Sequence, residues 1–423
     1  MRQYTLLLFT LFLFASLFLS SCGALFTELP GETDVLEGPI EGLTGAQRKI
    51  FIDGDEGFGE KFTASSGLGP VFNQGSCDTC HVGDGKGHPS TNLTRFGVGN
   101  SNDASQFNYL LEAGGPQLQN HAVPGYVAES LDSIRAYVTK RWPEKKLALS
   151  VRSAPIVVGL GLIEHIPDAT ILQYADPDDK DGDGISGRPN YVSPPSYFEP
   201  VIQHKTQDGK VMGRFGRKAT SINLLHQVVN AYINDMGVTT EFEPRDVYNP
   251  LVGNASGDSA PEPEVSTGVV RNVVFYMQTL RAPARRDLDN PDVAKGEALF
   301  KKSMCAKCHV PTMKTGDSKV AALSNKEVHL YSDMLLHDMG PKLADHYPEG
   351  AATGREWRTT PLWGLGAISS GLGGKEYYLH DGRATSLEQA ILLHGGEAQA
   401  SRDMFSKLSD EEKKQLLTFL RSL

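Results

Sequence analysis

The stretch Cys305-Ala306-Lys307-Cys308-His309 decides how this chain is read. A Cys-x-x-Cys-His run is the attachment sequence of c-type haem: the two thiols add to the vinyl groups and the adjoining imidazole becomes the proximal iron ligand. Two intervening residues put both sulfurs on one helical turn, under one edge of the macrocycle. The run returns upstream as Cys77-Asp78-Thr79-Cys80-His81, so four of the five cysteines sit in two identical patterns. A zinc site built from two Cys-x-x-Cys knuckles, or a redox disulfide pair, uses the same spacing. Neither requires a His directly after the second cysteine of both runs.

The fifth cysteine has its own context. Residues 1–21 hold one Arg near the start, an apolar run from Leu6 to Leu19, and then Ser20-Ser21 before Cys22. This pattern is a secretory signal, too short and wrongly flanked for a spanning helix. Its end matches a bacterial lipoprotein box, in which Cys22 is cleaved before and lipidated; an ordinary signal peptide with a chance Cys is the plainer alternative. Gly23 stands where an acidic residue would hold a lipoprotein at the inner membrane. The expected location is therefore the outer membrane of a bacterial envelope, facing the periplasm, with the lipid as the only membrane contact. Export also suits c-type haem, whose attachment happens outside the cytoplasm. Residues 22–45, acidic and spotted with Gly and Pro, read as a solvated tether.

A hydrophobic content of 39% with 22% charged residues is ordinary for a soluble globular chain, and about 400 residues suffice for two or three domains. The net charge of -10 argues against nucleic acid as a partner. The reading along the chain gives an N-terminal haem c domain over 46–264, a helix and linker over 265–290, and a C-terminal cytochrome c-like haem domain over 291–423. Arg152-Ser-Ala-Pro155, followed by Val158-Gly-Leu-Gly161, is echoed by Arg358-Thr-Thr-Pro361, followed by Trp363-Gly-Leu-Gly366. Each copy lies downstream of a haem motif, so the chain looks like two variants of one module. Ser409-Asp-Glu-Glu412 is a capping box that opens a final helix with Leu416, Leu417 and Leu420 as its apolar stripe.

Between the copies, Asp179, Asp181 and Asp183 alternate ahead of Gly184 and Ile185. Carboxylates at positions one, three and five and a carbonyl at seven match the first half of a calcium loop. Position twelve falls on Asn190 rather than the usual bidentate Glu, so the loop is incomplete. A solvated Asp/Gly turn is the alternative.

With these markers placed, the chain resembles the bacterial di-haem c-type oxidoreductases, a family of peroxidases also labelled thiol oxidoreductase. More distantly, it is similar to di-haem cytochrome c peroxidases and the methylamine-utilisation di-haem enzymes. The likeness is carried by Phe72-Asn-Gln-Gly-Ser-Cys77, Gly159-Leu-Gly-Leu-Ile-Glu-His-Ile-Pro167 and Asp181-Gly-Asp-Gly-Ile-Ser-Gly-Arg188. Leu335-Leu-His-Asp-Met-Gly340, Tyr378-Leu-His-Asp-Gly-Arg-Ala384 and His394-Gly-Gly-Glu-Ala398 complete it. In the related peroxidases the C-terminal haem takes its sixth ligand fourteen residues past a His-x-Gly turn. Counted from His380, that position is His394, where the peroxidases carry Met; His/His ligation gives the lower potential. His337 is the rival ligand, and His380 is expected to hold the turn or a propionate. The peroxidases' removable distal His lies sixteen residues after the proximal one, which here is Gly97. Glu164 is the candidate distal carboxylate, since peroxide cleavage needs a group that moves a proton between the two oxygens; a capping or ion-pairing role is its structural alternative. Trp363 is either a core residue or a relay between the haems.

The resemblance and motifs lead to a mainly α fold with two cytochrome c-like domains, long loops and little β. They imply two covalently bound haems c and a calcium ion. The expected activity is reduction of peroxide or a related oxidant at the N-terminal haem, with electrons relayed by the C-terminal one from a small redox protein or a quinol-linked cytochrome. A pure electron-transfer di-haem cytochrome and haem-dependent oxidation of a partner protein or organic substrate are the two other readings.

Overall fold

A set of helices and short strands follows from local sequence signals. The computed structural model describes residues 36–200, 204–252, 260–369 and 372–423. The signal segment 1–21 and Cys22 lie outside the described residues. Helices α1 (Gly45–Gly59), α2 (Leu131–Arg141), α3 (Leu160–Glu164), α4 (Leu224–Ala231), α5 (Thr267–Thr279), α6 (Pro291–Lys302), α7 (Leu387–Leu393), α8 (Gln399–Ser406) and α9 (Asp410–Arg421) come in that order. Thr44 with Gln47, and Ser409 with Glu412, form capping boxes that start α1 and α9. Asn290 caps α6, whose first position is Pro291 and whose last turn carries Lys301 and Lys302, which complement the helix dipole. Sheets are small, of two or three strands each. No helix among the described residues is long and apolar enough to cross a membrane.

Two helix pairs form the frame, and they are built alike. In the first, α1 crosses α5 with Gly54 against the α5 backbone: a Cβ there would sit 2.1 Å from the Asn272 carbonyl oxygen. Phe51 and Phe58 close the crossing on Tyr276, at ring separations of 4.9 and 5.4 Å. In the second, α6 crosses α9 with Gly296 against the α9 backbone, where a Cβ would sit 2.1 Å from the Gln415 carbonyl oxygen. Phe300 and Phe419 close this crossing at 5.3 Å. Only glycine lets two helix backbones approach so closely. Each pair stands beside one haem motif: Phe58 lies 6.1 Å from the His81 ring and Phe300 lies 6.4 Å from the His309 ring.

The Arg-x-x-Pro echo has a structural counterpart. Strand β1 (Leu93–Gly99) pairs antiparallel with β2 (Ala148–Arg152), with Leu93 opposite Arg152; β3 (Leu336–Asp338) pairs antiparallel with β4 (Glu356–Arg358), with Leu336 opposite Arg358. After each Arg-x-x-Pro the chain turns through a left-handed glycine into a short helix. Gly159 has φ 71° and ψ 5°, and Gly364 has φ 76° and ψ 5°. The two turns also face each other, since a Cβ on Gly159 would meet the Trp363 ring at 2.7 Å and one on Gly364 would meet Ile156 at 3.2 Å.

One apolar core gathers α1, α4 and α5 with Val310 to Leu335 of the second half, and another gathers α6, α7 and α9. A smaller core packs α2, through Ile134 and Val138, on Phe96 and Val98 of β1. Helix α5, read from sequence as part of a linker to the second half, is the closing partner of α1. Within the stretch read as tether, Pro39 bridges Leu280 and Leu43 is buried, so the chain is already packed against the fold there.

Candidate functional site

Both Cys-x-x-Cys-His runs line one cavity of about 550 Å³. Cys77–Cys80 forms a single helical turn, and the His81 N–H donates to the Cys77 carbonyl at 2.9 Å. Cys305–Lys307 forms a tight 3-10 turn, and the His309 N–H donates to the Cys305 carbonyl, also at 2.9 Å. In each run the two sulfurs therefore sit on one turn with the imidazole just beyond. Burial pushes the Cys77 thiol up to about 12, Cys80 to about 11 and Cys305 to about 12. All four thiols are unpaired, and among the described residues no cluster of ligand atoms joins the two cysteine pairs, as zinc knuckles would require.

The histidines differ in what their second nitrogen does. His309 Nδ1 lies 3.0 Å from the Tyr331 carbonyl and His394 Nδ1 lies 2.7 Å from the Ala390 carbonyl. A carbonyl accepts only from an N–H, so each ring carries its proton on Nδ1 and keeps the Nε2 lone pair free to bind a metal. Burial holds both rings below the ordinary histidine range, His309 at about 4, and both line the cavity. His81 is also held down to about 4 by burial, and no partner meets hydrogen-bond geometry at its Nδ1. His337 is engaged at both nitrogens, 2.8 Å from Asp333 and 2.6 Å from Glu397. Those carboxylates overcome burial and hold it well above the ordinary range, as an imidazolium without a lone pair for a metal. His380 stacks on Trp357 at 3.7 Å and 12°.

The same cavity collects positive charge. Arg152, Arg217, Arg358 and Lys86 line it. Burial, with repulsion from Arg358 and Arg152, pushes Arg217 down to about 9, and burial pushes Arg358 to about 10. Arg217 donates to the Ser153 carbonyl and Arg358 to the Gly216 carbonyl rather than to carboxylates. Buried cations without paired carboxylates are costly unless an anion joins them. Paired thiols, imidazoles with free Nε2, apolar walls and unanswered guanidinium groups together fit haem, a flat apolar ring that bears two carboxylates.

The model of the family described as "di-haem oxidoreductase, putative peroxidase" matches residues 117–423. This chain belongs to the di-haem oxidoreductase family. Membership implies haem as its cofactor and confirms the family read from the sequence, although the matched span begins after the first motif. No curated protein matches the chain. Among solved structures it is similar to the hydrazine synthase of Kuenenia stuttgartiensis under xenon pressure, with 14% identity over 94% of this chain and 98% of that one, TM-score 0.37. It is also similar to a MauG-like protein associated with microbial copper homeostasis, with 14% identity over 94% of each chain, TM-score 0.36.

Not every residue singled out from the sequence of this di-haem oxidoreductase lies at the cavity. Glu164 does not line it. Its Oε1 accepts from the Leu224 N–H at 2.7 Å and its Oε2 from Gln278 at 2.6 Å, so it anchors the start of α4 to α5. The expected distal carboxylate is thus a structural anchor. Asn190 is not part of the Asp loop either: its amide donates to the Lys218 and Glu349 carbonyls and its oxygen accepts from Ala351. The carboxylates that converge are Asp176, Asp179 and Asp181, with ligand atoms within 4.8 Å of one another, while Asp183 pairs with Lys307 of the second haem motif at 2.8 Å. Ile185 lines the cavity, and Trp363 is a buried part of its wall.

Two features were missed by sequence reasoning. Asp235 lines the cavity from the π-helical turn Tyr232–Met236 that ends α4. Burial raises its carboxyl to about 6, and Gln117 donates to it at 2.7 Å. Asp235 stands alone in Ile-Asn-Asp-Met with no motif around it, so only the fold could bring it to the first haem run. Arg217 and Arg358 were visible as charges, but a surface role is the ordinary reading of an arginine.

Proposed function

We propose that the chain carries two haems c, attached through Cys77 and Cys80 with His81 on one iron, and through Cys305 and Cys308 with His309 on the other. In this reading it is an exported, lipid-anchored oxidoreductase made of two cytochrome c-like modules. It reduces peroxide or a related oxidant at the N-terminal site, with electrons relayed through the C-terminal one. The observation that carries the reading is the unequal surroundings of the two motifs. His309 and His394 both offer a free Nε2 in one cavity, which suits a closed, six-coordinate iron. Near the first motif stands Asp235, a buried carboxyl with a pKa of about 6.

When bound, haem supplies the iron that exchanges electrons with the oxidant. The chain's own residues supply the rest. Tyr331 and Ala390 carbonyls fix the His309 and His394 tautomers. Arg217 and Arg358, whose guanidinium groups meet carbonyls rather than carboxylates, would hold the haem carboxylates inside the cavity. Asp235, half-ionised near pH 6 and steadied by Gln117, would accept a proton at one oxygen and return it, a task that contributes about a hundred- to ten-thousandfold in rate. A calcium ion on Asp176, Asp179 and Asp181 completes the reading.

The test combines haem counting and spectroscopy. Two covalent haems per chain are expected, one low-spin with two nitrogen ligands and one high-spin. His394→Ala should convert the first to high-spin. Asp235→Asn should leave both ferric spectra nearly intact and slow the reaction with peroxide by about a hundredfold or more. Two low-spin haems that peroxide leaves unchanged would replace this reading with electron transfer alone.

A further inference from the structure

Three ionisable side chains close round the sulfur of Cys308. His337, on β3, places Nδ1 3.8 Å from Cys308 Sγ; the same ring lies 2.6 Å from Glu397 Oε2 through Nδ1 and 2.8 Å from Asp333 Oδ2 through Nε2. Asp333 is also tied to the motif by its backbone, whose N–H donates to the Cys308 carbonyl at 2.8 Å. His337 and Asp333 are 2% and 1% exposed, and a Cβ on Gly187 would stand 3.1 Å from the His337 ring, so the ring is packed in on that side too. At the first motif the matching sulfur, Cys80 Sγ, meets an uncharged group, the Thr91 carbonyl, at 3.9 Å.

The hydrogen bonds fix the charges of the trio. Both oxygens of Glu397 accept from backbone N–H groups, those of Ser186 and Asp338, and Asp333 Oδ1 accepts from the Leu335 N–H. An amide only donates, so these groups are carboxylates. A carboxylate offers no proton, so a ring that serves one at each nitrogen carries both of its own and is a cation. Two carboxylates and one imidazolium leave one net negative charge. Burying such a charge is costly, and a neutral pair would hold the two segments together at less expense.

We propose that Asp333, His337 and Glu397 set the reduction potential of the haem held at Cys305 and Cys308, their net negative charge keeping it low. The inference rests on the haem attachment proposed above. Oxidised iron bears one more positive charge than reduced iron, so a negative charge nearby favours the oxidised form, and in a buried site that preference is weakly screened. None of the three is a catalytic residue; they act through the field at the sulfur and at the ring bonded to it.

Spectroelectrochemical titration of the haem-loaded protein, following the low-spin component, reads this potential without any turnover. Glu397→Gln should raise it by about tenfold in the one-electron equilibrium, or about 59 mV, and His337→Gln should lower it by a similar amount. Ser186→Ala removes a hydrogen bond from Glu397 but no charge, and should move the potential less than about twofold. A clamp that is only structural would not give shifts of opposite sign. A retained low-spin spectrum verifies that the variants fold and keep their ligands, and Asp333→Asn, expected to act like Glu397→Gln, replaces that variant should it not fold. Fewer than two haems per chain overturns the attachment reading and this one with it. Two haems with a potential that the charge-removing variants leave unmoved, or move in one direction, overturns this inference alone.

Discussion

Glu397→Gln is the substitution whose effect the geometry constrains best. Glu397 lies in the turn directly after His394, and its carboxylate gathers four partners. It faces His337 Nδ1 at 2.6 Å and accepts from the Ser186 N–H, the Ser186 hydroxyl and the Asp338 N–H at 3.0, 2.8 and 3.0 Å. Burial alone would raise its carboxyl, but the bond to His337 and these amides bring it down from an ordinary 4.5 to about 2. That difference corresponds to about 3 kcal/mol of stability, in line with the loss of one partner from a buried pair. A carboxylate with a lowered pKa stabilises the fold fully above its unfolded value and loses that contribution as pH falls towards its folded one. The gap between wild type and Glu397→Gln should be about 3 kcal/mol at pH 6 and close to about 2 kcal/mol at pH 3.5. His337, raised in the fold, contributes fully below its unfolded value and loses that contribution only as pH rises through its folded one. Guanidinium unfolding of the haem-loaded protein at the two pH values measures both. A gap below 1 kcal/mol at pH 6, or one that widens on acidification, would refute the clamp.

Gly54→Val and Gly296→Val should each overpack one helix crossing against backbone, at a cost of about 1–3 kcal/mol, read as a lowered melting temperature. Glu164→Gln should destabilise the start of α4 by about 1–2 kcal/mol in a denaturant titration, while stopped-flow mixing with peroxide shows an unchanged rate. Chelation should lower the melting temperature through the Asp176, Asp179 and Asp181 cluster, and Asp176→Asn should remove that response in a thermal scan with elemental analysis.

What the sequence made legible was whatever chemistry ties to short spacing. Cys-x-x-Cys-His, the capping box at Ser409 and the repeated Arg-x-x-Pro with its Gly-Leu-Gly are local patterns, and local backbone geometry realises each of them. Glu164 was misread because a carboxylate beside a recognised motif has the same appearance whether it faces a cavity or anchors a helix. Its actual partners, Leu224 and Gln278, are distant in sequence. Asn190 failed for the same reason: a count of twelve along a loop says nothing about the Lys218, Glu349 and Ala351 backbone that claims its side chain. The role of α5 was hidden because its partner, α1, lies some two hundred residues earlier.

Repeated backbone features let one frame hold two unequal sites. The helix crossings at Gly54 and Gly296, the paired strands ending at Arg152 and Arg358, and the turns at Gly159 and Gly364 repeat nearly unchanged. These are positions where backbone meets backbone, and a change there disrupts packing directly. The side chains that differ between the halves, among them His394, Asp235 and the His337 clamp, project from the frame into the cavity or its margin and take no part in the two helix crossings. Substitution at such positions alters the electrostatics around each motif while leaving the crossings intact. A paired frame can therefore surround one motif with imidazoles and place a titratable carboxyl beside its twin.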